Sequence, residues 1–286
     1  MKDLLKKIVP TGVWRRLRKS RILRDHRRVA RICDALIEEY YSLNEKPSLK
    51  PLKPELVGRK IIWQYWAQGF DQMPPVVAEC VGSIDKNKSD YIVIRLDDTT
   101  VGEYVTIPEG IEVKTKKFSI AHYSDLLRLA LLNTYGGVWL DATVMLSGTI
   151  PDNIGQMDFF MYRRDPEEPN KEYWEKAYAY YYGWSKGFRV NSLNSIILSK
   201  PSSEIVSSMY GILSLYWMKN DHLPNYFFFQ ILFDVLISGR LRDSNFPIKS
   251  DCKPHYLQQL RNDPHFSLAT EEEILKTIPV HKLTYK

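Results

Sequence analysis

FSIAHYSDLLRLALLNTYGGVWLDATVML, residues Phe118–Leu146, is the stretch whose pattern decides the fold. Ile120, Tyr123, Leu127, Ala130 and Leu131 recur at helical spacing, and Leu126 and Leu132 widen the stripe. The pattern predicts a helix with a broad buried face. Gly136-Gly137 ends it, because glycine adopts the left-handed conformation of a helix C-terminus without a Cβ clash. Val138–Leu140 and Val144–Leu146 are then apolar on both sides of Asp141-Ala142-Thr143. A continuous apolar run suits a strand covered on both faces, as in an α/β sheet. A carboxylate buried there without a partner would be costly. Asp141 is therefore expected at the strand's end, facing a cation, a donor or a ligand hydroxyl.

Working outward, 286 residues with 44% hydrophobic content suit one large domain or two small ones. Cys33, Cys80 and Cys252 are odd in number and far apart, which suits a reducing compartment and argues against a zinc site. No apolar segment follows Met1, so no signal peptide is expected. The run Tyr226–Ile237 is too short to span a bilayer. Residues 1–31 carry twelve Lys or Arg against Asp3 and Asp25, a net +10, so the overall +6 leaves the remainder at −4. Apolar side chains interleave with these charges, including Trp14, Leu17, Ile22 and Leu23. This pattern suits a helix lying on an anionic membrane surface. A solvated helical face is the plainer reading. Nucleic acid is not an expected partner, since nothing else resembles a nucleic-acid module.

In chain order, residues 1–45 read as helical, with a break at Pro10-Thr11-Gly12. The three prolines of Lys46–Pro54 mark a linker, dividing a basic arm at 1–54 from a domain at 55–286. Lys60–Trp66 and Tyr91–Leu96 read as strands, with a helix opening near Pro75 between them, and Ile111–Val113 as a short edge strand. Asp158–Arg163 and Ile196–Leu198 follow as strands, and Pro224–Ser238 as an aromatic-rich helix. This alternation predicts an α/β fold with a mostly parallel sheet, binding ligands outside the carboxyl ends of its strands. Lys171–Phe188 is dense in Tyr and Trp, whose faces suit either sugar rings or a core. There is no glycine-rich phosphate loop. A bound diphosphate would be neutralised by a metal or by Lys and Arg.

The segment SDLLRLALLNTYGGVWLDATV resembles the central motif of the bacterial capsular polysaccharide synthesis proteins. These are related to glycosyltransferases that include the yeast initiating mannosyltransferases and, more distantly, the clostridial glucosylating toxins. The match covers Ser124, Asp125, Arg128, Gly136, Gly137 and Asp141, and it departs at Thr143, where a second Asp is usual. The resemblance implies a GT-A-like, Rossmann-like mixed sheet flanked by helices. It also implies a catalytic role for Asp125, Arg128 and Asp141, which hold the donor sugar. On spacing alone, Asp125 and Arg128 read sooner as an i,i+3 ion pair than as sugar ligands. The matching first strand implies that Trp63, Gln64, Tyr65, Trp66 and Gln68 lie at the nucleotide base, and Asn191 and Asn194 line the donor and acceptor pocket.

What the resemblance implies functionally is transfer of a sugar, with retention, from a nucleotide-sugar donor, a UDP-sugar for preference. The acceptor is a lipid-linked capsule or cell-wall oligosaccharide at the inner face of the plasma membrane. A divalent metal, Mn2+ or Mg2+, is expected on Asp141 and, with Thr143 a poor ligand, on His281. Lys282 and Lys286 are expected on the diphosphate. Two other classes fit parts of the pattern. A haloacid-dehalogenase-type phosphatase, or a phosphosugar transferase, would use an Asp after an apolar strand. A non-catalytic membrane-bound scaffold would use the basic arm and leave Asp141 idle.

Overall fold

The computed structural model describes residues 11–244 and 246–285. In chain order its main elements are α1 (Thr11–Ser42), β1 (Ile61–Tyr65), α2 (Pro75–Asn87), β2 (Ile92–Leu96), α3 (Glu109–Phe118), α4 (Ile120–Tyr135), β3 (Gly137–Leu140) and β4 (Val144–Leu146). A single turn α5 (Asp152–Gly155) precedes β5 (Phe159–Arg163), α6 (Lys171–Ala177), β6 (Ser192–Ser199), α7 (Glu204–Lys219) and α8 (Phe228–Ser238). The chain closes with α9 (Tyr256–Asn262), α10 (Glu271–Thr277) and β7 (Val280–Lys282).

The main sheet has the order β2-β1-β3-β6-β5, with β1 parallel to β2 and β3 and with β6 antiparallel to both neighbours. Four strands thus run one way and β6 runs against them, giving the expected mostly parallel mixed sheet. β3 sits in the middle, which is why its sequence is apolar on both faces. Trp63 and Trp139 join one core with α1, α4, α7 and α8, while Ile62, Val138 and Leu140 join a second core on the opposite face. Strand alternation divides these residues, and the same alternation carries Asp141 onto the Trp139 face. Replacing a fully buried tryptophan such as Trp139 by alanine costs about 3–5 kcal/mol.

The α4–β3 junction forms as the sequence predicts. Ser119 caps α4, its side chain accepting from the Ala121 N–H at 3.3 Å. Gly136 and Gly137 both have positive φ, 74° and 99°. A Cβ on Gly137 would lie 2.5 Å from the Ile61 carbonyl oxygen, so β3 approaches β1 too closely for any other residue. The apolar run beyond is not one strand. It breaks at Asp141, where the Val144 N–H donates to the Asp141 carbonyl at 2.8 Å, and β4 leaves to form a two-stranded sheet with β7.

Residues 111–113, expected as an edge strand, are helical. Pro108 precedes α3, Glu109 and Glu112 occupy its first turn and Lys116 and Lys117 its last, complementing the helix dipole. Ile111 and Thr115, one turn apart, face inward. From Ile22 to Tyr40, α1 contributes Val29, Cys33, Leu36 and Ile37 to the same core that holds Trp63 and Trp139. Its outer bonds include Tyr41 to Ser208 at 2.8 Å, Asn225 to Asp25 at 2.6 Å and Arg28 to the Pro224 carbonyl at 2.7 Å. The proline-rich segment is pinned as well, since the Tyr135 hydroxyl accepts from the Leu52 and Lys53 N–H groups. Among the described residues, no helix is long and apolar enough to cross a membrane.

Candidate active site

β3 delivers Asp141 to the carboxyl end of the central strand, and the Asp141 N–H donates to the Ser195 carbonyl of β6 at 3.0 Å. α4 runs across the same face and presents Asp125 and Arg128, three residues apart. Arg128 Nη2 lies 3.3 Å from Asp125 Oδ1 and also 3.3 Å from Asp141 Oδ1. One guanidinium therefore joins the two carboxylates. Its other contacts are the Ser124 carbonyl at 3.0 Å, the Ser124 hydroxyl at 3.1 Å and the Asn194 carbonyl, and it stacks 5.1 Å from the centre of the Trp139 ring. A buried charge so fully hydrogen-bonded is held in one place. Arg128 is 4% exposed, while the side chains of Asp125 and Asp141 keep 15% and 23% of their surface open. The carboxylates, not the arginine, keep surface open to a site beyond them.

Both carboxylates are positioned further. Asn194 donates to Asp125 Oδ1 at 2.8 Å and accepts from Gln230 of α8 at 3.0 Å. The indole N–H of Trp139, two residues back on the strand, donates to Asp141 Oδ1 at 2.8 Å. Lys282 Nζ lies 3.5 Å from Asp141 Oδ2 and hydrogen-bonds the Thr143 hydroxyl. These surroundings push the two acids apart. Burial raises the Asp125 carboxyl above the usual range, the opposing pull of Arg128 notwithstanding. At Asp141 burial also acts upward, but Arg128, Lys282 and the hydrogen bonds from Trp139 and Ser195 outweigh it and hold the carboxyl below that range. Asp141 is thus the anion that persists at low pH, and Asp125 is the more readily protonated partner.

The candidate residues do not all meet here. Trp63 and Gln64 are fully buried: the Trp63 indole donates to the Gly136 carbonyl at 2.9 Å, and Gln64 accepts from Arg95 at 3.1 Å. Tyr65 is buried with its hydroxyl on Asp98 at 2.6 Å. None of the three offers a face to a nucleotide, and the reason is the burial of β1 on both sides. Trp66 and Gln68, past the strand's end, reach the surface. Trp66 is edge-on to Tyr285 at 5.3 Å and packs with Phe70 and Met73 against a cluster containing Ala142, beside Asp141. Asn191 binds Asp234 at 3.1 Å and the Phe188 carbonyl, anchoring a loop to α8 rather than entering the site. Gly136 and Gly137 serve the chain reversal. Lys286 lies outside the described residues.

His281 does not face Asp141. β7 pairs with β4 so that Lys282 is opposite Val144 and His281 opposite Met145, and alternation sends the two side chains to opposite faces. The imidazole is fully buried, with Nε2 2.9 Å from the Ser147 hydroxyl. Asp141 in turn is already engaged by two cations and an indole N–H, and Thr143 is held by Lys282. The donor set therefore does not fit a divalent metal, and no group of three or more His, Cys, Asp or Glu side chains suited to one occurs among the described residues. Hard cations require several oxygen ligands, and here a lysine ammonium stands beside the carboxylate that ends β3.

Sequence reasoning missed Trp139, Gln230 and Tyr226. Trp139 carries a readable signal, since strand alternation puts it on the face of Asp141. Tyr226 carries none: it lies 104 residues beyond His122 in sequence, and only the fold brings its ring 5.4 Å from that of His122, one turn before Asp125 on α4.

A family model described as capsular polysaccharide synthesis protein matches residues 15–286, nearly the whole chain. O-glycosyltransferase braB of Annulohypoxylon truncatum is 33% identical over 104 residues, covering 32% of this chain and 25% of that protein. The chain thus spans about a quarter of the length of that relative. Among solved structures, the PaToxG glycosyltransferase aligns with 76% of this chain and 79% of its own at 14% identity and a TM-score of 0.37, too distant to bear on fold or function.

Proposed function

The chain belongs to the capsular polysaccharide synthesis family, and from that premise we propose that it is a glycosyltransferase using a nucleotide-sugar donor. The observation that carries this reading is the constellation of Asp125, Arg128, Asp141 and Lys282 at the carboxyl end of β3. Glycosyl transfer needs groups that hold sugar hydroxyls, a cation where the diphosphate departs, and room for an acceptor hydroxyl. Asp125 and Asp141 supply fixed acceptors for the sugar hydroxyls. Arg128 holds them at one spacing and offsets their mutual repulsion. Lys282 supplies the cation, at a position where a metal-dependent enzyme would use an ion. Trp66, half-buried beyond the end of β1, is the aromatic face left for the base. The retention of configuration implied by the family resemblance belongs to the same proposal, and so does a uridine nucleotide.

A phosphatase of the haloacid-dehalogenase type is disfavoured by one contact. Its second Asp would stand at Thr143, whose hydroxyl is taken by Lys282. A panel of nucleotide sugars scored for nucleoside diphosphate release tests the transferase reading. Release by the wild-type chain in EDTA, lost in Asp141→Asn, is the expected result. Absence of both binding and release across the panel would overturn it.

A further inference from the structure

The hydrogen bonds that hold Asp125 run in one direction, and they do not end at Asn194. An ionised carboxylate can only accept, so Asn194 presents its amide N–H to Asp125 Oδ1, at 2.8 Å. The amide oxygen of Asn194 faces the other way and accepts from the Gln230 amide at 3.0 Å. No other donor reaches that oxygen among the described residues. Asn194 is gripped through its main chain as well, since Arg128 donates to its carbonyl. Near the start of β6, one residue thus touches the carboxylate with its side chain and the guanidinium with its backbone.

Gln230 is out of place in its own helix. α8 reads FFQILFDVLIS, apolar except for Gln230, Asp234 and Ser238. Gln230 is nevertheless buried, 7% exposed. At helical spacing Gln230 and Asp234 share one face, and there they back the entry to β6. Asp234 accepts from Asn191 at 3.1 Å and from Arg189 at 2.8 Å, while Gln230 donates to Asn194. A buried amide costs free energy unless it is hydrogen-bonded, and an apolar side chain of similar size would pack without that cost. Packing of α8 therefore does not account for a glutamine at this position. Its bond to Asn194 does.

Resting on the transferase reading, in which Asp125 receives a hydroxyl of the donor sugar, we propose that Gln230 is a positioning residue of that site. Through Asn194 it fixes which end of the amide faces Asp125, and so keeps the carboxylate an acceptor held at one angle. Without the Gln230 N–H, the Asn194 oxygen loses its donor and the amide is free to turn. Turned, it sets its oxygen against the carboxylate, where two acceptors repel. Gln230 acts on the sugar only through Asn194 and Asp125. The other titratable and charged groups facing Asp125 are Arg128 and His122 on α4, Asp141 from β3 and Tyr226 from the chain just before α8. Burial raises the Asp125 carboxyl, while Arg128 and the Asn194 bond act downward. Loosening that bond therefore moves the carboxyl further up.

The test reads Asp125 directly and needs no donor: its carboxyl titration in the full chain, followed by carbon-13 NMR and assigned by comparison with Asp125→Asn. Gln230→Met keeps the volume and removes the amide, and the midpoint is expected to rise by roughly one pH unit. Asn194→Ala removes the bond itself and is expected to raise the midpoint at least as far. In the double variant the midpoint should equal that of Asn194→Ala, because the link through which Gln230 acts is already gone. Asp234→Asn, one turn along the same face of α8, is the control for packing. It is expected to lower the thermal transition and leave the Asp125 midpoint in place. A wild-type midpoint in Gln230→Met or in Asn194→Ala would overturn the proposal. So would additive shifts in the double variant, or a midpoint moved equally by Asp234→Asn. Nucleoside diphosphate release by the wild-type chain across the nucleotide-sugar panel tests the transferase reading separately, so failure of that reading is told from failure of this one.

Discussion

Lys282 Nζ stands 3.5 Å from Asp141 Oδ2, although 141 residues of chain separate the two. β7 closes this distance by pairing with β4, the strand that Asp141 itself introduces. Under the proposed function, a cation fixed in this way beside Asp141 takes the electrostatic task that a metal would otherwise perform. Replacing Lys282 by Met is expected to lower turnover about 10²-fold, the scale of losing one preorganised donor to a developing charge. Diphosphate release by the wild-type chain should be the same in EDTA and in manganese. Release that requires manganese would refute the assignment to Lys282.

Asp141 is held low in pKa by Arg128 and Lys282 and by the Trp139 indole. Asp141→Asn keeps size and removes charge, so the fold should survive, with turnover reduced by about 10²–10³-fold. Trp139→Phe removes the indole N–H together with part of the buried ring; the N–H bonds a charged acceptor and contributes roughly 1.5–3 kcal/mol. The carboxyl should then titrate at higher pH. The acid limb of the rate profile is expected to move up in Trp139→Phe relative to wild type. An unmoved limb would mean that the indole does not tune Asp141.

The helix, the two glycines and the carboxylate were legible because each rests on a local rule. Helical periodicity marked α4, the left-handed turn required Gly136, and the cost of a buried acid required Asp141 at a strand end. Residues 111–113 were misread because β-branched residues at positions two apart imitate a strand, while the defining contact is the four-residue spacing of Ile111 and Thr115. That β4 leaves the central sheet left no trace, since both flanks of Asp141 are apolar for different reasons: one enters the central sheet and the other a separate two-stranded pair. Lys282 and His281 are adjacent, and only the register of β7 on β4 decides which faces the site. Such non-local registers are not written in spacing.

The basic arm should divide at about residue 20. Upstream, Val13, Trp14 and Leu17 are exposed; downstream, Ile22, Val29, Cys33, Leu36, Ile37 and Tyr40 are buried. Each fully buried apolar side chain contributes about 1.5–3 kcal/mol, so removing these six forfeits about 9–18 kcal/mol, as much as the 5–15 kcal/mol that typically stabilises a domain. Deleting residues 1–19 is expected to leave the thermal transition within a few degrees of wild type while weakening binding to anionic vesicles. Deleting residues 1–45 is expected to give no cooperative transition. A truncation at 45 that melts like the full chain would show that α1 is not part of the core.

His281 provides a test with no activity in it. The Ser147 hydroxyl lies 3.1 Å from the Leu275 carbonyl and 2.9 Å from that of Ile278, so its one proton is directed there. The imidazole Nε2–H is therefore the donor to Ser147, and Nδ1 is left buried without a partner. Protonating that ring would bury an uncompensated charge, and burial, with Arg261 nearby, lowers its pKa from 6.5 to about 4. The unfolded chain takes up the proton first. Stability from this group is then complete above pH 6.5 and is lost as pH falls toward 4, by on the order of 3 kcal/mol. His26 and His255, lowered to about 4 and about 3, act in the same direction. His281→Gln keeps a donor for Ser147 and removes the titration. Its unfolding free energy should fall less steeply between pH 6.5 and 4 than that of the wild type, by close to one proton in the linkage slope. Parallel curves for the two proteins would mean that the imidazole is not buried as a neutral base.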